Sequence, residues 1–140
     1  MDPLALENQV CFALAVATRK VIAAYRPLLD PMGLTHPQYL VMLALWERSP
    51  RRVVDLSRAL ALEPATLSPL LKRLEAAGYL TRARGVDERT LDVSLTETGR
   101  ALRAPAETVP PRVAAMLDLT VPELDQLRGV LHRVIDAVPA

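Results

Sequence analysis

VVDLSRALALEPATLSPLLKRLEAAGYLTRARGVDERTLDVSL, residues 53–95, holds two short helical patterns and an alternating one in immediate succession. Residues 53–60 predict a short helix, Ala61-Leu62-Glu63 a three-residue joint, and residues 64 to about 77 a second helix that Gly78 ends. Two helices joined so tightly form a helix-turn-helix pattern. Residues 79–84 and 91–95 then flank Gly85-Val86-Asp87-Glu88-Arg89-Thr90, and the second flank alternates apolar and polar side chains with period two. This predicts a β-hairpin with a charged tip directly after the helix pair.

In the second helix Leu67, Leu70, Leu71 and Leu74 fall on one face, which leaves Ala65, Thr66, Ser68, Pro69, Lys72 and Arg73 facing outward. Small and hydroxylic residues lead and cations follow. Such an order suits a recognition helix, whose first turns approach base edges while Lys and Arg meet phosphates. An ordinary amphipathic helix carries the same pattern, so the specificity lies in the hairpin that follows. There Arg84 lies on the first flank, while Arg89 is placed to enter a narrow minor groove with Asp87 bracing its guanidinium. A solvated turn with a weak surface ion pair is the plainer reading of Asp87 and Arg89. The charge distribution favours the nucleic-acid reading: residues 48–103 carry 11 Lys and Arg against 7 Asp and Glu, although the chain as a whole is only +1.

Outward from this segment, Leu6 to Leu29 contains no Gly and no Pro before Pro27, and its apolar residues predict one long helix. A second stripe of Cys11, Ala15, Thr18, Ile22 and Tyr25 widens the apolar surface beyond one core contact and points to a partner subunit. After the Pro31-Met32-Gly33 break, Thr35 is placed to cap a helix with Pro37 in its first turn, and the apolar run 39–46 predicts burial nearly all round. Thr96 should cap a further helix that Pro105, Pro110 and Pro111 interrupt between Ala104 and Arg112. The last helix opens on a Thr120–Glu123 capping box and carries Leu124, Leu127, Leu131, Val134 and Val138 as a seam for another helix.

These elements amount to one mainly α domain of 140 residues with a small β wing. Residues 35–96 form the winged helix-turn-helix, and residues 6–30 and 97–138 the dimerisation helices. The chain lacks a signal-peptide pattern and any window of about 18 apolar residues, which predicts a cytoplasmic protein that does not enter membranes. One cysteine supplies neither a disulfide framework nor a structural zinc site. No metal or cofactor is called for. An enzyme is the least supported class, because paired carboxylates, phosphate loops and a resolving thiol are all missing.

The order of helices, the wing with Asp87-x-Arg89, and Leu95-Thr96-x-x-Gly99 resemble the MarR family of dimeric regulators over essentially the whole chain. More narrowly, Leu6-Glu7-Asn8-Gln9-Val10-Cys11-Phe12, Tyr25-Arg26-Pro27-Leu28-Leu29, Leu34-Thr35-His36-Pro37-Gln38-Tyr39-Leu40 and Leu70-Leu71-Lys72-Arg73-Leu74-Glu75 resemble its organic-hydroperoxide-resistance branch. The resemblance implies a homodimeric repressor on double-stranded operator DNA. It also implies that Cys11 is the thiol oxidised by organic hydroperoxide and Tyr25 its hydrogen-bond partner. His36 stands where that branch usually has a second such tyrosine. Cys11 and Tyr25 are 14 positions apart, roughly 21 Å along a straight helix, so a contact between them requires Tyr25 of the other subunit. As a residue in the first turn of its helix, His36 is expected to be neutral and to donate a hydrogen bond to the thiolate. The rival within the family is a regulator that binds a small aromatic or lipophilic molecule and leaves Cys11 inert.

Overall fold

The computed structural model describes residues 1–84 and 90–139. Its helices are α1 (Val10–Leu29), α2 (His36–Glu47), α3 (Val53–Leu60), α4 (Pro64–Ala76), α5 (Glu97–Ala101), α6 (Arg103–Ala106), α7 (Val109–Leu117) and α8 (Val121–Ala137). The strands are β1 (Arg51–Arg52), β2 (Leu80–Arg84) and β3 (Leu91–Leu95). The chain divides into two compact units, residues 1–107 and 108–140.

The core of the first unit lies where the sequence pattern puts it. Leu67, Leu70, Leu71 and Leu74 of α4 are all buried, together with Leu56 of α3, Val41, Met42 and Leu45 of α2, and Leu80, Val93 and Leu95 of the sheet. The α3–α4 joint is the expected three residues. Ala61 takes the left-handed conformation at φ 53°, the Leu62 N–H donates to the Ser57 carbonyl, and the Ser57 hydroxyl donates back to the Leu62 carbonyl. Both caps are present: Thr35 and Gln38 form a reciprocal capping box on α2, and the Thr96 hydroxyl accepts the Gly99 N–H at 3.0 Å.

Four details differ from the sequence reading. Helix α1 begins at Val10 rather than Leu6, after a 3-10 turn over Leu6–Asn8. The side-chain amides of Asn8 and Gln9 donate to the carbonyls of Asp2, Pro3 and Ala5, and this local bonding competes with helix extension. Strand β1 is only two residues long, too short to alternate visibly. It forms because Arg51 and Arg52 pair with Val93 and Asp92, giving an antiparallel sheet in the order β1-β3-β2. The break after Thr96 starts earlier than expected, at Leu102, and recurs at Glu107 and Thr108. Pro105 lies within the one-turn α6, and Pro110 sits in the first turn of α7, where a missing N–H costs nothing. Helix α2 is buried on most sides, but Leu43 faces solvent.

In the second unit Val109 and Val113 of α7 are buried. Helix α8 starts with the expected Thr120–Glu123 capping box and has no buried residue. Leu127, Val130, Val134 and Ile135 are all exposed in the single chain.

Candidate nucleic-acid interface and thiol site

The outward face of α4 presents Thr66, Lys72 and Arg73 to solvent and leaves Ser68 half-buried. Pro64 opens this helix and Pro69 lies on its exposed side, opposite the buried leucine face. Arg84 ends β2, also exposed. Asp87 and Arg89 lie outside the described residues.

The connection from α4 to β2 carries a fixture that the sequence reading missed. The Glu75 carboxylate, at the end of α4, accepts the Arg82 backbone N–H at 3.0 Å and both Nε and Nη2 of its guanidinium at 3.3 and 3.0 Å. These three bonds, with the side-chain bonds the largest cause, hold the Glu75 pKa below its ordinary value. They tie the recognition-helix candidate to the first wing strand. The spacing of seven residues across a glycine turn gave no helical or strand period that would have paired the two.

The thiol-site candidates divide. Cys11 is exposed on α1. Tyr25 lies near the other end of the same unbroken helix, so the two are held apart within one protomer. The structure instead brings Tyr25 to His36, their ring centroids 4.8 Å apart in an edge-on contact. Tyr39, to which the sequence pattern assigns no site role, completes the cluster at 5.8 Å from Tyr25 and 6.5 Å from His36. Burial lowers the His36 pKa and raises that of Tyr25, and burial together with the nearby Tyr25 raises that of Tyr39. The lowering favours the neutral imidazole, and its cause is desolvation rather than the place of His36 in the helix. Beside the cluster runs a groove of about 420 Å³ lined by Arg19, Ile22, Arg26, Leu34 and His36 among others. Five aromatic residues serve the whole chain, and the meeting of Tyr25, Tyr39 and Trp46 in one row is the signal that could have marked Tyr39.

Comparison with known proteins fits this arrangement. The model of the transcriptional regulator SarA/Rot family matches residues 23–104, which run from the end of α1 through the helix-turn-helix and the wing to α6. The chain belongs to this family of transcriptional regulators. Its fold is the MarR-type winged helix, and it is a DNA-binding regulator. The organic hydroperoxide resistance transcriptional regulator of Bacillus subtilis is 38% identical over 98% of this chain and 94% of its own length. The regulator TtmR of Methylorubrum extorquens is 44% identical over 95% of this chain and 67% of its own. Among solved structures, reduced AbfR bound to DNA is 33% identical, covers 94% of this chain and 93% of its own, and superposes with a TM-score of 0.78. Among the described residues, no helix of this family member is long and apolar enough to cross a membrane, and no group of side chains forms a metal-binding cluster.

Proposed function

We propose that this chain is a homodimeric repressor that senses organic hydroperoxides through Cys11 and then releases its operator. The observation that carries the reading is the separation of the thiol from its aromatic partners. Cys11 is exposed on the apolar side of α1, while Tyr25 and His36 stand together around the corner from α1 into α2. With two α1 helices packed antiparallel about a two-fold axis, Cys11 of one subunit reaches the Tyr25–His36 cluster of the other. The site then exists only in the dimer. The exposed Val10, Phe12, Leu14 and Ile22 of α1 supply the apolar surface for that packing. The likeness to the Bacillus subtilis hydroperoxide regulator across nearly the full chain supports the same chemistry.

In that chemistry the Cys11 thiolate attacks the peroxide oxygen. The O–O bond breaks, the thiol becomes a sulfenic acid, and the hydroperoxide leaves as the alcohol after taking up one proton. Neutral His36 and Tyr25 act as hydrogen-bond donors to the thiolate, and oxidation there disturbs the interface that spaces the two DNA-reading heads. A gel-shift titration with and without cumene hydroperoxide tests the reading. Wild-type protein is expected to lose the operator on oxidation, and Cys11→Ser to bind equally well and stay bound. Normal release by the serine variant places the sensor elsewhere.

A second reading rests on the groove beside His36, whose volume of about 420 Å³ is in the range that takes a small organic ligand. In this reading an aromatic or lipophilic molecule occupies the groove and Cys11 is a bystander. Thiol labelling before and after hydroperoxide separates the two, because only the first consumes the thiol.

A further inference from the structure

We propose that Tyr79 is the residue that couples the thiol-sensing corner to the DNA-reading head; this rests on the sensing role proposed above. The corner between α1 and α2 consists of a 3-10 turn over Asp30–Met32, Gly33 at φ 67°, Leu34 and the cap Thr35. Tyr25 precedes it by a few residues and His36 follows it directly, so displacement of either ring bears on this corner. The Tyr79 hydroxyl, 47 residues along the chain, donates to the Met32 carbonyl at 3.0 Å in a part-buried contact.

The other end of Tyr79 is held tightly. Its backbone N–H donates to Leu74 in the last turn of α4, and its carbonyl accepts the Thr96 N–H at 3.1 Å. Next to it, the Gly78 carbonyl accepts the Thr96 hydroxyl at 2.6 Å, and Gly99 packs so closely that a Cβ there would lie 2.0 Å from the Tyr79 carbonyl oxygen. The Tyr79 backbone is therefore fixed to the end of the recognition helix and to the base of the wing, and among the described residues its hydroxyl bonds to the sensing corner. A hydrogen bond weakens steeply once its distance or angle departs from the optimum. A shift of Met32 either drags the α4–β2 turn with it or breaks the bond, and both change how α4 and the wing are presented to DNA.

The intact bond belongs to the reduced, DNA-binding state and the broken one to the oxidised state. Tyr79→Phe keeps the ring and lacks the bond in both states. Operator affinity measured by fluorescence anisotropy for reduced and oxidised protein is then expected to fall about fivefold in the reduced state only, the weight of one net hydrogen bond. The release ratio shrinks by the same factor, while the rate of Cys11 oxidation stays at the wild-type value. Gly33→Ala, which strains the left-handed corner and leaves the hydroxyl in place, is expected to move the ratio in the same direction. A release ratio equal to that of the wild type in either variant overturns the assignment, as does an equal loss in both states or a slowed oxidation. If the wild type itself keeps its operator on oxidation, the sensing role and the coupling role fall together; if it releases normally and Tyr79→Phe releases equally, only the coupling falls.

Discussion

The leucines of α4 and the apolar side chains of α1 have similar chemistry and opposite fates. Leu67, Leu71 and Leu74 are each at or below 1% exposure, whereas Val10 is 80% exposed and Leu14 40%. Helix α8 repeats the contrast, with Leu127 and Val134 both 44% exposed. The head around α3, α4 and the sheet is complete within one chain, since its apolar faces meet one another. The apolar faces of α1 and of α8 are left uncovered in the single chain. Sequence periodicity reports that a face is apolar; the partner that covers it, in the same chain or another, is decided by the number of faces left over once the core is closed.

Salt gives the largest test of that contrast. If the head meets DNA through Lys72, Arg73, Arg84 and the wing, two heads should touch on the order of ten phosphates. Operator affinity is then expected to fall by about 10³–10⁵ between roughly 50 and 200 mM salt. Dimerisation through the apolar faces should barely respond over the same range, as followed by analytical ultracentrifugation. Parallel salt dependence of the two would break the comparison. Next in size, Leu71→Ala should cost about 2–5 kcal/mol in urea unfolding, because it leaves a cavity in a closed core. Leu14→Ala should leave the unfolding of a diluted monomer almost unchanged and weaken only the dimer.

Arg89→Ala is expected to weaken operator binding by about 1–3 kcal/mol if the side chain contacts the groove, and by almost nothing if it is merely solvated. Smaller again is the effect at His36. His36→Tyr should keep rapid Cys11 oxidation in stopped-flow measurements at pH 7, and His36→Phe should slow it about tenfold, the equivalent of about 1.4 kcal/mol. The same residue sets a pH dependence. Its folded pKa is lowered from 6.5 by burial, so the unfolded chain binds the proton first and the neutral form stabilises the fold. That stability is fully present above about pH 6.5 and is lost as pH falls from there toward the folded value. His36→Phe should flatten this slope, and an unchanged slope would assign it to another group.

The head was legible because its determinants are local: four leucines at helical spacing, a three-residue joint and an alternating strand fix α3, α4 and β3 within a few dozen residues. The caps of Thr35, Thr96 and Thr120 were readable for the same reason. Strand β1 and the Glu75–Arg82 fixture were not, since both arise from pairing that only the closed fold creates. The surroundings of the candidate thiol-site residues were legible only in part. Tyr25 and His36 came from a family resemblance, and helix length alone showed that Cys11 and Tyr25 cannot meet in one chain, but the approach of Tyr25 to His36 and Tyr39 depends on the angle at the Asp30–Met32 corner. No periodicity encodes that angle.

Trp46 is the single tryptophan of the chain. Its indole N–H donates to the Gly99 carbonyl at 2.9 Å, and its ring lies edge-on to Tyr39 with centroids 6.5 Å apart. Indole emission shifts with the polarity and hydrogen bonding around the ring, so the tryptophan emission of this protein, excited selectively beyond the tyrosine band, originates from one position beside the wing base and one ring away from the Tyr25–His36 pair. The molecule therefore carries an optical label that needs no attached dye, and changes in the aromatic row can be followed in real time in the unmodified protein.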